Sequence, residues 1–203
     1  MNTTFSNEQI EQVTEFHGHN CPGLAIGIRA SELCLRELGH NTESPLVAIC
    51  ETDMCGVDAI QFLTGCSIGK GNLILKDHGK MGFTFFRRGD EKGFRALLNP
   101  DFMSDQRKEM SRLMAAVDKG TASLEDKAKC NTVRDECEKG YLEADLTEIF
   151  LVDKPQMRIP RPAKILQSMI CEECGETHME SRSRRFAGQT LCITCFEKVE
   201  QKI

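Results

Sequence analysis

Four cysteines near the C-terminal end of the chain form two Cys-x-x-Cys pairs. Seventeen residues separate the two pairs, which consist of Cys171, Cys174, Cys192 and Cys195. Each pair can place two thiolates on one tetrahedral ion, and zinc readily accepts this all-sulfur coordination. A short segment with little apolar content also needs a metal in order to fold. The spacing therefore predicts a structural zinc site, with a reversible dithiol redox pair as the less favoured alternative.

A second group of metal-ligating residue types lies near the N-terminus. His17, His19 and Cys21 fall within five residues, directly before a predicted helix. The N-terminus of that helix should favour the thiolate form of Cys21. Two glycine-flanked cysteines, Cys55 and Cys66, lie at the two ends of another predicted helix. The pattern favours a metal or catalytic site, although buried cysteines are often only small apolar residues and loop histidines are often solvated.

Polar residues close to these cysteines extend the hypothesis. Asp58 and Gln61 are three apart on the second predicted helix and therefore lie near one face. Asp58 or Asp53 is expected to act as a general base or to orient a histidine ligand. We expect catalytic groups at Cys21, Asp58 and Lys70, with Gln61 and Lys70 orienting an anionic or carbonyl-bearing substrate.

The glycine-rich stretch 65–71 does not match a phosphate-binding loop. That loop needs four residues between its glycines and Ser or Thr after the lysine, whereas Gly71 follows Lys70 here. The sequence therefore excludes a P-loop nucleotide triphosphatase.

The composition is that of an ordinary globular protein. Of the 203 residues, 40% are hydrophobic and 28% are charged, and the formal net charge is −5. We expect a cytoplasmic protein without a membrane span, because no run of eighteen apolar residues and no secretory signal is present. Eleven cysteines in a reducing compartment serve metals or redox chemistry more often than disulfides.

Hydrophobic spacing and turn residues indicate the order of the structural elements. Helices are predicted at 7–16, 22–38, 57–63 and 94–98 and in two segments between 102 and 138. Strands are predicted at 46–51, 73–76, 83–87 and 146–152. In the C-terminal part, 181–192 is predicted to form a hairpin that leads into a short helix.

These elements divide the chain into two domains of an α+β protein. Residues 1–153 are expected to form an α+β domain with a mixed sheet and packed helices. Residues 154–163, which include three prolines, are expected to be a linker, and residues 164–203 a small treble-clef-like zinc finger. Residues 154–203 carry a formal charge of +3 and the preceding part −8, which indicates polarity between the domains.

The C-terminal part resembles the DksA/TraR-type C4 zinc finger over residues 170–199, through its cysteine spacing and the helix that starts at the second pair. The resemblance implies a structural finger in a family whose hosts often act on RNA polymerase. The long coiled coil with acidic tip residues that those hosts use is not evident here, so the transcriptional role is not transferred.

The N-terminal part resembles the FmdE family of formylmethanofuran dehydrogenase proteins over residues 16–95. The resemblance rests on FHGHNCPGLAIGIRA and DMCGVDAIQFLTGCSIGKGNL. It implies an α+β domain that dimerises and carries a metal pocket built from His17, His19, Cys21, Cys55 and Cys66. The family name derives from association with a molybdenum- or tungsten-dependent enzyme that reduces carbon dioxide to the formyl level. This chain has no CxxCxxC iron–sulfur set and cannot perform that reaction alone.

Three functional hypotheses follow. The first is a metal-dependent or thiol-redox enzyme with a transition metal, most simply zinc, in the N-terminal domain. The second is a non-catalytic accessory subunit or metal carrier for a molybdenum or tungsten oxidoreductase. The third is a regulator that contacts nucleic acid or RNA polymerase through Arg182, Arg184 and Arg185.

Overall fold

The computed structural model describes residues 2–42 and 45–200. It divides into two compact units, Met1–Pro162 and Ala163–Ile203. Each unit is described by itself below. No helix in the described part of the chain is both long and apolar enough to cross a membrane.

The helices of the first unit begin and end at the signals that the sequence carries. They are α1 (Asn7–His17), α2 (Pro22–Leu38), α3 (Gly56–Thr64), α4 (Ser104–Asp118), α5 (Leu124–Glu143) and α6 (Leu146–Ile149). Capping boxes at Ser6 and Ser123 start α1 and α5. Gly39 ends α2 and donates its N–H to the carbonyl of Leu35. The predicted positions of the first three helices are thereby confirmed.

A five-stranded mixed sheet packs against these helices. Its strands are β1 (Leu46–Cys50), β2 (Leu73–Leu75), β3 (Gly82–Arg87), β4 (Gly93–Leu98) and β5 (Phe150–Asp153). They lie in the order β2-β1-β3-β4-β5, with β1 and β2 parallel and the other neighbours antiparallel. The α+β class and the mixed sheet are therefore as predicted.

Two segments differ from the sequence prediction. Residues 94–98, predicted as a helix, form most of β4, because pairing with β3 and β5 on both sides satisfies their backbone. Residues 146–152, predicted as a strand, begin as α6 instead. Asp145 caps that short helix by accepting from the N–H of Thr147, and only Phe150 and the residues after it enter the sheet.

The two faces of the sheet are covered differently. Alternate residues such as Phe83, Phe85 and Ala96 belong to the core shared with the helices. The opposite face carries a separate cluster of Val47, Ile49 and Phe86 with partly buried residues that include Met157 and Ile159. Residues 154–162, predicted to be linker, thus lie within the first unit and cover part of this outer face.

The second unit consists of two hairpins and a helix. The strands are β6 (Ser168–Ile170), β7 (Thr177–Met179), β8 (Ser183–Phe186) and β9 (Gln189–Cys192), followed by α7 (Ile193–Glu200). Ala187 and Gly188 have φ values of 48° and 86° and form the predicted bend between β8 and β9. Two hairpins followed by a helix give the treble-clef-like arrangement that the sequence predicts.

Candidate metal centre

Four donor side chains of the first unit converge at one point. They are His17, His19, Cys21 and Cys55, hereafter the N-terminal cluster, and their donor atoms all lie within 4.8 Å of one another. Sγ of Cys21 lies 3.9 Å from Nε2 of His17, and the two imidazole centroids are 4.6 Å apart. Ligand atoms of a tetrahedral zinc lie about 3.3–3.8 Å apart at ordinary bond lengths. The cluster therefore has nearly the dimensions that a zinc ion requires, and its two imidazoles and two thiols are a set of donors that zinc accepts.

Three helix ends place these donors. His17 is the last residue of α1, and Gly18 ends that helix with a φ of 95°, a conformation that glycine adopts without strain. Cys21 is the N-cap of α2, and its Sγ accepts a hydrogen bond of 3.3 Å from the N–H of Leu24. Cys55 immediately precedes α3. The cluster thus forms where the end of α1 meets the starts of α2 and α3.

Glycines allow α2 and α3 to approach closely enough for this meeting. A Cβ at Gly27 would lie 2.2 Å from the carbonyl oxygen of Gly56, and a Cβ at Gly23 would lie 3.2 Å from Cβ of Cys55. Backbone therefore packs directly on backbone beside the cluster. Sequence reasoning missed the roles of Gly27 and Gly56. The available signal was the four-residue spacing of Gly23 and Gly27, which places both on one helix face.

A carboxylate on α3 orients one of the histidines. Nδ1 of His17 lies 2.7 Å from Oδ2 of Asp58, and the His17 side chain is only 10% exposed. When Nδ1–H donates to Asp58, Nε2 is left free with its lone pair facing Cys21. A carboxylate that holds a ligating histidine in one tautomer in this way is a recurring feature of metal sites.

The thiol of Cys21 does not behave as its position at a helix N-terminus suggested. Burial raises its pKa, and the neighbouring Cys55 raises it further, whereas the N–H of Leu24 lowers it. Burial outweighs the helix terminus here, because a thiolate in this position loses most of its hydration. A bound cation reverses this balance, since a coordinating thiol is deprotonated.

Three predicted site residues lie elsewhere. Cys66 is fully buried at the other end of α3, where burial raises its pKa, and it is outside the N-terminal cluster. Nζ of Lys70 donates to the carbonyl of Gly65 at 2.9 Å, also beyond the end of α3. Oε1 of Gln61 accepts from the N–H of Ile68 at 3.4 Å. Since α3 has nine residues, its two ends are about 13 Å apart.

The N-terminal cluster lies at the surface of the unit. His19 is exposed, and His17 and Cys55 are partly buried. Large apolar side chains next to these donors in the chain are exposed as well, with Phe16 at 52% and Met54 at 57%. Phe16 also contacts the exposed ring of Phe62, with centroids 5.6 Å apart. Solvent, a small molecule or another protein can therefore reach the donors.

The second unit contains the other cysteine cluster. Its four sulfur atoms also lie within 4.8 Å of one another, and they belong to Cys171, Cys174, Cys192 and Cys195. Backbone N–H groups of Cys174 and Cys192 lower the pKa of Cys171 to about 6. Gly175, with a φ of 75°, makes the tight turn after the first pair. The all-sulfur set is the one that structural zinc sites use.

Comparisons with known proteins agree with both clusters. The sequence model of FmdE, described as "FmdE, Molybdenum formylmethanofuran dehydrogenase operon", matches residues 16–151, which include the whole N-terminal cluster. The chain belongs to the FmdE family. Residues 164–201 match the prokaryotic dksA/traR C4-type zinc finger, so this FmdE protein carries such a finger after its family domain.

Two individual relatives support this placement. The FmdE protein is 31% identical over 191 residues to a "Probable S-adenosyl-L-methionine-binding protein" of Archaeoglobus fulgidus. The match covers 89% of this chain but only 50% of the archaeal protein, so the chain spans about half the length of that curated relative. A solved FmdE-like protein of tungsten formylmethanofuran dehydrogenase from Syntrophus aciditrophicus shares the fold, with a TM-score of 0.64, 21% identity and coverage of 98% and 96% of the two chains.

Proposed function

We propose that the N-terminal domain of this FmdE protein binds a transition metal ion, most simply zinc, through His17, His19, Cys21 and Cys55. The observation that carries the proposal is the convergence of their donor atoms within 4.8 Å. Asp58 acts as a positioning residue, because its contact with Nδ1 directs Nε2 of His17 towards the cluster. Cys66 is not part of the proposed ligand set.

The exposure of the cluster supports a reactive role rather than a purely structural one. His19 is the exposed ligand, so it is the ligand that can leave most easily and open a coordination position. A metal bound there supplies Lewis-acid chemistry at an accessible position. Cys21 and Cys55 hold it from the less exposed side, and Asp58 is close enough to accept a proton through His17. We therefore favour a metal-dependent enzyme or thiol-dependent redox protein.

Metal analysis of purified variants tests the proposed ligands. The full chain should contain two metal ions, one per cluster, and Cys55→Ser should contain one. Cys66→Ala is the matched control, because Cys66 lies outside the cluster, and it should retain two ions. Equal metal content in Cys55→Ser and the unchanged protein would contradict the proposal. Loss of an ion in folded Cys66→Ala would instead support the ligand set expected from the sequence.

A second candidate function is that of an accessory subunit or metal carrier. The apolar side chains of Phe16, Met54 and Phe62 beside the cluster favour it, since exposed apolar groups at this density often mark an interaction surface. They also suit the homodimer expected from the FmdE resemblance. Sedimentation of Phe16→Ser/Phe62→Ser tests the dimer, and co-purification with a molybdenum or tungsten enzyme tests the accessory role. The name of the archaeal relative makes S-adenosyl-L-methionine a further ligand to assay.

A further inference from the structure

A cavity of about 480 Å³ lies on the outer face of the sheet, away from the face that packs against the helices. Its floor is formed by Ile49, Thr84 and Leu97, which alternate with core residues along β1, β3 and β4 and therefore point outwards. Met157, from the segment that covers this face, forms part of its wall. Its size falls within the range usual for small-molecule sites.

An ion pair occupies this otherwise apolar floor. Nε and Nη2 of Arg95 donate to the two carboxylate oxygens of Glu51 at 2.6 and 2.8 Å. The side chains of Arg95 and Glu51 are only 16% and 11% exposed. A Cβ at Gly82 would lie 3.1 Å from both partners, so a glycine is what leaves room for the pair. The pair fixes the guanidinium in place, and its Nη1 has no hydrogen-bond partner among the described residues.

The loop after β2 adds further cations at the rim. The backbone N–H groups of His78 and Lys80 both donate to the carbonyl of Glu51, at 2.9 and 3.0 Å. The N–H of Lys76 donates to Cys50 at 2.8 Å. These bonds fold the loop over the end of β1 and bring the side chains of Lys76, His78 and Lys80 to the cavity.

Charge and shape together define what this cavity suits. Glu51 is the one acidic residue among its described lining residues, and Arg95 already neutralises it, so Lys76 and Lys80 leave a net positive charge. The floor and wall remain apolar. We propose that the cavity binds a small molecule with an anionic head group, a phosphate monoester or a carboxylate, attached to an apolar body. The head group would contact Arg95 and the two lysines, and the body would lie against Leu97 and Met157.

Titration of the metal-loaded full chain with phenyl phosphate, benzoate and inorganic phosphate tests this proposal by NMR or calorimetry. We expect phenyl phosphate or benzoate to bind at least about tenfold more tightly than inorganic phosphate, because only they carry an apolar body. Whichever of the two binds more tightly identifies the head group. Lys76→Gln/Lys80→Gln should weaken that binding by about tenfold or more. The matched control, Lys108→Gln/Lys119→Gln, makes the same charge change on α4 and should leave binding unchanged.

The possible results separate cleanly. Absence of binding by both aromatic probes, or equal loss in the two double variants, would overturn the proposal, since either result means that the cavity does not recognise the anion. Because the altered lysines are exposed and distant in sequence from the N-terminal cluster, unfolding is not expected. Met157→Asp, which puts an acidic group on the wall, provides a second test and should abolish binding. Metal content stays at its original value throughout, so this test is independent of the proposed metal function.

Discussion

Replacing Gly27 by alanine tests how the two cysteines of the N-terminal cluster are brought together. The added Cβ would lie 2.2 Å from the carbonyl oxygen of Gly56 and 2.5 Å from its Cα. Carbon–oxygen contacts in proteins normally begin at about 3.3 Å. The obstructing atoms are backbone and cannot rotate away, so α2 and α3 must separate by about 1 Å.

Two opposing effects set the magnitude. Alanine favours a helix over glycine by about 1 kcal/mol, which would stabilise the protein if space were available. Overpacking against a rigid neighbour costs up to about 3 kcal/mol. The steric effect is larger, so Gly27→Ala should lose about 2 kcal/mol of unfolding free energy. For a unit of this size, the melting temperature should fall by about 4–8 °C.

The sequence offers a convenient reporter for this measurement. The chain has one tyrosine and no tryptophan, and Tyr141 is 2% exposed within the first unit. Its fluorescence therefore follows unfolding of that unit. Gly140→Ala is the matched control, since that helical glycine faces only the flexible end of Met103, and it should melt within a few degrees of the unchanged protein.

Metal affinity provides the functional readout of the same variant. Separation of the helices moves Cys55 away from Cys21, so the affinity of the cluster should fall about 10- to 100-fold. If Gly27→Ala melts with the control and keeps its metal, close packing of α2 on α3 does not position these ligands, and the reasoning is refuted.

The remaining predictions concern single side chains. Asp58→Asn should weaken metal binding about 10- to 100-fold in competition with a chromophoric chelator and leave metal-free stability unchanged, because it alters only the orientation of His17; an unchanged affinity would count against the positioning role. Glu51→Gln should cost about 2 kcal/mol at neutral pH by leaving Arg95 unpaired. Arg95 lowers the pKa of Glu51 below its ordinary value of 4.5, so this stabilisation is complete above that value and is lost as pH falls through the lowered pKa; melts of both proteins at about pH 7 and pH 3 should therefore converge at the lower pH. Cys171→Ser should remove one metal ion without shifting the melting temperature that Tyr141 reports, and a shifted melt would show that the finger stabilises the first unit.

Local signals in the sequence were sufficient for the elements that carry their own start and stop residues. Ser6 and Gly39 mark the start of α1 and the end of α2 in the sequence as clearly as they do in the structure. The strand β4 was missed because its residues include no β-branched side chain, and a brief helix was equally compatible with their spacing. Pairing with β3 and β5 determines its conformation, and that information is not local.

The candidate site was predictable in part for a related reason. His17, His19 and Cys21 lie within five residues, so the sequence alone brings them near one another. Cys55 and Cys66 looked equivalent in the sequence because each lies beside a glycine. Only the packing of α3 against α2 distinguishes them, since it places the start of α3 at the cluster and its end about 13 Å away.

The two clusters stand in different relations to folding, and this difference bears on function. The finger has little apolar core besides its own cysteines, with Leu191 buried and Phe196 packed against them, so it depends on a metal to fold. The first unit has a continuous core that includes Leu33, Phe83 and Phe85 and does not depend on the cluster. A metal at His17 and Cys55 is therefore not needed to hold that unit together. It can be bound, exchanged or exposed to a substrate without unfolding the domain, as a reactive or transferable metal requires.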